Sequence, residues 1–186
     1  MSNPLLVVVS GPPGAGKTTI GKMIAHEVSL PFISKDDIKE LLFDQLGWHD
    51  REWSKKLGVS SIVLLFEFIE KLLAVCVSVV AESNFQPDFD IARFDELSRK
   101  YSFDILQIHC LADNDALVSR FFERADTTQR HPGHVETLNR DEFTQYLGKG
   151  IWKPLSIGGQ VIRVDTTDWN KVKLDEIFDA VRSLLE

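Results

Sequence analysis

Cysteine is scarce in this chain, with two in 186 residues, Cys76 and Cys110. Neither belongs to a C-x-x-C pair or lies at ligand spacing from a histidine, which excludes a disulfide framework and a structural zinc site. Both have apolar neighbours and are expected to be reduced core thiols. Long hydrophobic runs are also missing. The longest, Ile62 to Ala81, is broken by Glu67, Glu70 and Lys71, charges that are costly in lipid, so no membrane association is expected. Leu5 to Val9 is too short for a signal core and follows Met1-Ser2-Asn3-Pro4, which carries no basic leader; the expected location is cytoplasmic. Repeats and low-complexity tracts are absent. Basic charge is short as well: 21 Lys and Arg against 28 Asp and Glu leave a net charge of −7. A chain of that sign repels polyanions, so nucleic acid is disfavoured and small-molecule partners are favoured. Nothing in the composition specifies an oligomeric state.

What remains is an ordinary globular composition, 44% hydrophobic and 26% charged, at a length suited to one domain over residues 1–186. Apolar runs bounded by turn residues at Leu5–Ser10, Pro31–Ser34, Val75–Glu82, Phe103–Cys110 and Gln160–Val164 read as buried strands. Helical patterns lie between them. Ile20, Met23, Ile24 and Val28 share one face, as do Ile38, Leu41, Leu42 and Leu46 before a stop at Gly47. Ser34 is a plausible N-cap for the second helix. Further helices are expected at about Val59–Leu73, Ile91–Lys100, Ala116–Ala125, Arg140–Leu147 and Lys171–Leu185. Strands alternating with helices imply a doubly wound α/β sheet, with ligands beyond the carboxyl ends of its strands.

Gly11-Pro12-Pro13-Gly14-Ala15-Gly16-Lys17-Thr18 fits G-x-x-x-x-G-K-[ST] at every fixed position, directly after a strand and before a helix. The glycines let backbone N–H groups turn inward around phosphate, and the helix N-terminus adds its positive end. Lys17 can reach the β and γ oxygens, and the Thr18 hydroxyl can ligate Mg²⁺. Gly11 to Thr18, with the adjoining Thr19, is the expected ATP cradle. A GTPase needs N-K-x-D after a late strand, and Asn170-Lys171-Val172-Lys173 has lysine in place of the aspartate. Asp44-Gln45-Leu46-Gly47 spells D-x-x-G but ends a helix. An AAA-type motor needs more chain and an Asp-Glu pair closing its third strand, where Val79-Val80-Ala81-Glu82-Ser83 offers one carboxylate. Kinases of small molecules and nucleotides remain.

Three features support that class. Ser34-Lys35-Asp36-Asp37-Ile38-Lys39 ends the second strand, so Asp36 can take a proton from an acceptor hydroxyl, and Lys39, one turn on, can hold an anionic group. Asp36 or Asp37 could be the base, and both also suit a helix N-terminus without any catalytic role. Glu82, with Ser83 and Asn84, ends a very apolar strand and could hold a magnesium-bound water or the acceptor. Arg120 and Arg124 are four apart on one helix face, where like charges repel unless an anion lies between them. A lid over about 120–140, including Arg130, His131 and His134, would bring arginines onto the transferring phosphoryl group. Solvated surface, with Glu123 and Asp126 neutralising the pair, is the simpler alternative.

Together the P-loop, Ser34–Lys39, Val79–Asn84 and Arg120–Arg124 resemble the P-loop kinases grouped with polynucleotide kinase, zeta-toxin-like and chloramphenicol phosphotransferase-like enzymes, counted among the predicted kinases of the AAA family. The resemblance covers Val7 to about Arg124, with a weaker echo at Val164-Asp165-Thr166-Thr167. It implies a three-layer P-loop fold with a five-stranded parallel sheet in the order 2-3-1-4-5 and an arginine-bearing lid. It also implies Asp36 as general base, Lys39 as counterpart of a phosphate-holding arginine, Arg124 on the nucleotide phosphates beside Arg120, and Thr166 at the adenine loop. Lysine at position 39 departs from the arginine fork expected for a terminal phosphate. Trp48 and Trp53, five apart, would either stack on an acceptor or pack a helical hairpin. The activity expected is ATP- and Mg²⁺-dependent phosphoryl transfer to a small-molecule hydroxyl, with a 5′-hydroxyl nucleic-acid kinase or an ATP-binding regulator as alternatives.

Overall fold

The computed structural model describes residues 3–125, 131–134, 140–147 and 152–186. Five strands form one parallel sheet: β1 (Leu5–Ser10), β2 (Phe32–Ser34), β3 (Val79–Glu82), β4 (Asp104–Leu111) and β5 (Gln160–Asp165), in the order β2-β3-β1-β4-β5. The expected order is therefore the observed one. The helices are α1 (Lys17–Glu27), α2 (Lys35–Leu46), α3 (Arg51–Ala74), α4 (Pro87–Lys100), α5 (Asn114–Ala125), α6 (Arg140–Leu147) and α7 (Leu174–Leu185), with a 3₁₀ turn at Trp169–Lys171. No helix among the described residues is long and apolar enough to cross a membrane.

Alternation along β1 divides the core. Leu5, Val7 and Val9 face a layer with Ile20, Ile24, Phe121, Phe143, Ile177 and Val181, whereas Leu6 and Val8 face Leu65, Phe66, Ile69, Phe94 and Leu97. Successive strand residues point to opposite faces, so a central strand coated on both sides must be apolar throughout. Burying each such aliphatic side chain contributes about 1.5–3 kcal/mol.

Parallel register then aligns the carboxyl ends: Val9 pairs with Glu82, and Glu82 with Ser34. The residues that follow, Ser10 leading into Gly11, Ser83 and Lys35, therefore emerge side by side along one edge of the sheet. This is what brings distant segments of sequence to one place.

Three boundaries differ from expectation with a visible local cause. Helix α3 begins at Arg51, eight residues before the expected start, because Asp50 caps it by accepting from Trp53 N–H at 2.8 Å. Strand β3 begins at Val79, not Val75, since Cys76 takes a positive φ of 58° and reverses the chain after α3. Cys76 is consequently exposed, correcting its expected core position, while Cys110 is buried with its thiol pushed up to about 12 by burial. The last helix begins at Leu174 because Asp168 caps a separate 3₁₀ turn. Trp53 packs the hairpin between α2 and α3: its indole N–H donates to the Gly47 carbonyl at 2.9 Å.

Candidate active site

The P-loop runs from the end of β1 into the first turn of α1. Gly11, Gly14 and Gly16 all have positive φ, at 134°, 83° and 72°, the region glycine enters without steric cost. At Gly11 the requirement is doubled, since a Cβ would lie 2.1 Å from the Cys110 carbonyl oxygen. Lys17 Nζ donates to the Pro12 carbonyl at 3.0 Å, folding over its own loop.

Around this loop a cavity of about 200 Å³ is lined by Pro13, Gly14, Lys17, Thr18, Asp36, Lys39, Glu82, Asn84, Arg120, Arg124 and His134, among others. Those eleven include catalytic, cradle and acceptor residues expected from sequence, so α1, α2, β3 and α5 converge as the strand ends require. Pro12 and Ala15 are buried beneath, and Thr19 is exposed on α1. Arg130 and the rest of the expected lid between residues 126–130 and 135–139 lie outside the described residues.

Glu82 is 4% exposed and accepts from Thr18 Oγ1 at 3.0 Å and from Ser34 Oγ at 2.9 Å, both on Oε2. Burial pushes its carboxyl above the usual range; the Lys17 charge opposes this and the Asp36 charge reinforces it. A hydroxyl and a carboxylate oxygen at this separation are the hard donors that Mg²⁺ takes while keeping waters and phosphate oxygens for its other positions, so the residues present fit that ion. Asp36 is placed differently. Burial would raise its pKa, but Lys35, 3.1 Å away, together with His134 and Lys17, holds it well below the usual carboxylate range. Two carboxylates in one cavity thus shift in opposite directions, Glu82 upward by burial and Asp36 downward by its cationic neighbours.

Lys39 is 9% exposed, donates to Ser54 Oγ at 2.9 Å and stands 5.2 Å over the Phe43 ring. Gly58 of α3 lies beside it, and a Cβ there would be in ordinary contact with Lys39 Cε and Nζ at 3.8 Å. The segment from His131 to His134 docks on α2. His131 stacks on Phe43 at 5.1 Å and pairs with Asp44 at 3.1 Å, and His134 pairs with Glu40 at 2.9 Å. Gly133 allows this approach, since a Cβ would come 2.6 Å from the Phe43 ring.

On the opposite flank, Arg120 points into the loop after β5, donating to the Thr166 carbonyl at 2.7 Å, the Thr167 carbonyl at 3.1 Å and Thr166 Oγ1 at 3.2 Å. Thr166 is fully buried, and its hydroxyl lies within 3.2 Å of the Ala15 carbonyl oxygen and 3.0 Å of Leu111's. Its side chain therefore braces the P-loop from behind instead of facing a ligand, and Arg120 is a tie between α5 and that brace. Sequence reasoning missed three further neighbours. Ser10 Oγ bonds His109 Nδ1 at 3.0 Å immediately before the P-loop. Ser54 anchors Lys39, and Trp169 lies against Gly16. Only the turn-prone stretch before Trp169 could have hinted at the last of these. A larger groove of about 730 Å³ runs between β5 and α7, but Lys171 and Lys173 along it are paired with Asp168 and Glu176 at 3.4 and 2.7 Å.

A domain-family profile described as "AAA domain" matches residues 6–149. A crystal structure of a "putative kinase" from Chloroflexus aurantiacus J-10-fl superposes with a TM-score of 0.93 at 36% identity, with both chains covered in full. A "putative adenylate kinase" from Thermococcus gammatolerans is 23% identical over 96% of this chain and 99% of its own. Shikimate kinase from Bacteroides thetaiotaomicron shares the fold, with a TM-score of 0.55 at 20% identity over 98% of each chain.

Proposed function

The chain belongs to the AAA-domain family matched over residues 6–149 and is a P-loop phosphotransferase, and from that premise we propose that it transfers the γ-phosphoryl group of ATP to a hydroxyl of a small molecule. The observation that carries this reading is the shared cavity: Lys17, Thr18, Asp36, Glu82 and Arg124 line one space of about 200 Å³. That volume suits a small acceptor, and the net charge of −7 argues against a polynucleotide. We assign the protein to the group of polynucleotide kinase, zeta-toxin-like and chloramphenicol phosphotransferase-like enzymes, acting as one kinase domain across residues 1–186.

In this reading Lys17 leaves the Pro12 carbonyl and takes the β- and γ-phosphate oxygens, while backbone N–H groups of residues 14–18 cradle the β-phosphate. Thr18 and Glu82 would hold Mg²⁺, which when bound neutralises charge on the β- and γ-oxygens. Asp36 orients the acceptor hydroxyl in line with the γ-phosphorus. Held ionised by Lys35, His134 and Lys17, it is a weak base, so it receives the proton late, once the new oxygen–phosphorus bond has made that proton acidic. Lys39 lines the acceptor side, and Asn84 offers hydrogen bonds there. Arg124 faces the transferring group, with Arg130 as a second contact.

The test is ATP consumption by the purified protein with Mg²⁺ across nucleosides, sugars, aminoglycoside and phenicol alcohols and 5′-hydroxyl oligonucleotides, with Asp36→Asn as control. Acceptor-stimulated turnover that disappears in the variant is expected. Stimulation by oligonucleotides alone would replace the acceptor class, and ATP binding without stimulation by any acceptor would favour a regulator.

A further inference from the structure

Strand β5 ends the sheet on the side away from β2, and among the described residues β4 is the one strand it pairs with. In a strand the N–H and C=O of one residue point to one side and those of the next residue to the other. Thr166, immediately after β5, turns its N–H to the Leu111 carbonyl at 2.8 Å. Ile162 and Val164 therefore also address β4, while Val161, Arg163 and Asp165 turn their backbone groups outward, where no described residue bonds them. The edge is undefended by the usual means. Its sequence, Gln160-Val161-Ile162-Arg163-Val164-Asp165, holds no proline or lysine, and a groove of about 730 Å³ lies between it and α7, so the helix does not seal it.

The strand that suits this edge is its own copy. Two copies related by a two-fold axis pair antiparallel, and outward groups must meet outward groups, so the axis passes through a residue. An axis at Arg163 opposes like charges, and one at Ile162 sets Arg163 against Val161. An axis at Val164 sets Arg163 opposite Asp165 of the second copy, twice by symmetry, and no other axis within β5 brings opposite charges face to face. Both side chains lie on one face of the strand and are exposed. Arg163 has no hydrogen bond or ion pair to another described residue, and Asp165 is steadied by the Thr167 N–H at 2.9 Å.

We propose that β5 joins two copies of this chain, antiparallel about Val164, with main-chain bonds between Arg163 and Asp165 across the axis and an ion pair beside each. Sedimentation velocity of the full chain from about 1 μM to about 1 mM covers the affinities open to so short a contact, and a concentration-dependent dimer is expected. Arg163→Glu, which sets like charges opposite each other twice, weakens it at least about tenfold. Arg163→Glu combined with Asp165→Arg restores opposite signs and returns the dissociation constant to within about threefold of the unsubstituted chain. Arg163→Pro removes an outward N–H, which an edge strand tolerates; it keeps the circular dichroism of the unsubstituted chain and loses the dimer. A chain that stays monomeric throughout that range overturns the proposal, as does a dimer that Arg163→Glu leaves unchanged. Failure of the paired substitution to restore association, in a chain that melts as the unsubstituted one does, overturns it as well.

Discussion

The two flanks of the cavity are built by different means. On the donor flank the P-loop is shaped by positive-φ glycines and by backbone carbonyls that receive Lys17, Arg120 and Thr166. On the flank proposed for the acceptor the contacts run between side chains: Lys39 with Ser54, His134 with Glu40, His131 with Asp44 and the Phe43 ring. Backbone geometry constrains which residue types can occupy a position, so the donor flank is fixed to one chemistry. Side-chain pairs can be exchanged together, which leaves the acceptor flank free to suit a different substrate. A phosphate donor common to many kinases and an acceptor peculiar to each would need this division.

The division can be tested from its largest effect down. Lys17→Ala removes the charge that meets the phosphates and should weaken MgATP more than about a hundredfold, the cost of leaving a partner charge unpaired; calorimetry that finds unchanged affinity breaks the donor assignment. Asp36→Asn should leave MgATP affinity nearly intact while lowering kcat by about 10²–10⁴, measured as acceptor-dependent turnover. Gly133→Ala forces a Cβ against Phe43 and should lift the His131–His134 segment, at an overpacking cost of about 1–3 kcal/mol. Its signature is a raised KM for the acceptor with KM for ATP unchanged. An equal rise in both would join the flanks that are separated here.

The smallest effect is on stability. Burial raises the folded-state pKa of Glu82, so the ionised carboxylate costs stability that is fully present only below the ordinary value of 4.5 and is lost as pH rises through the folded value. Glu82→Gln keeps an oxygen for Thr18 and Ser34 without the charge, and should raise Tm at neutral pH, with the difference vanishing below pH 4.5. Thermal scans at the two pH values check the sign, and turnover should fall in the same variant.

Legibility in the sequence followed the same boundary. The P-loop and the strands were readable because a cradle for phosphate demands glycines at set spacing and a buried sheet demands apolar runs, while the strand order followed from the family resemblance alone. Ser34, Asp36 and Glu82 were readable as residues ending such runs. The first two turns of helix α3 are hidden in the sequence by Gly58 and the polar stretch Ser54–Lys56, and their burial against Lys39 is a contact only the fold creates. The run Val75–Val80 looks like a continuous strand, and nothing in its hydrophobicity marks the positive φ of Cys76. The resemblance placed Thr166 at the adenine loop because its position after β5 was visible, whereas the burial of its side chain behind Ala15 was not.

The hairpin of α2 and α3 carries a consequence for how such chains diversify. Its closing contacts are internal: Trp53 to Gly47 across the turn and Lys39 to Ser54 between the helices. Its ties to the remainder are the apolar face of α3 on the sheet, the Ser34–Glu82 bond at its root, the docking of His131 and His134 on α2, and the contacts of Glu70 with Lys100 and Tyr101, among others. A segment so closed behaves as a cassette. Recombination between relatives could exchange it whole, altering what is phosphorylated while the machinery that spends ATP is inherited unchanged.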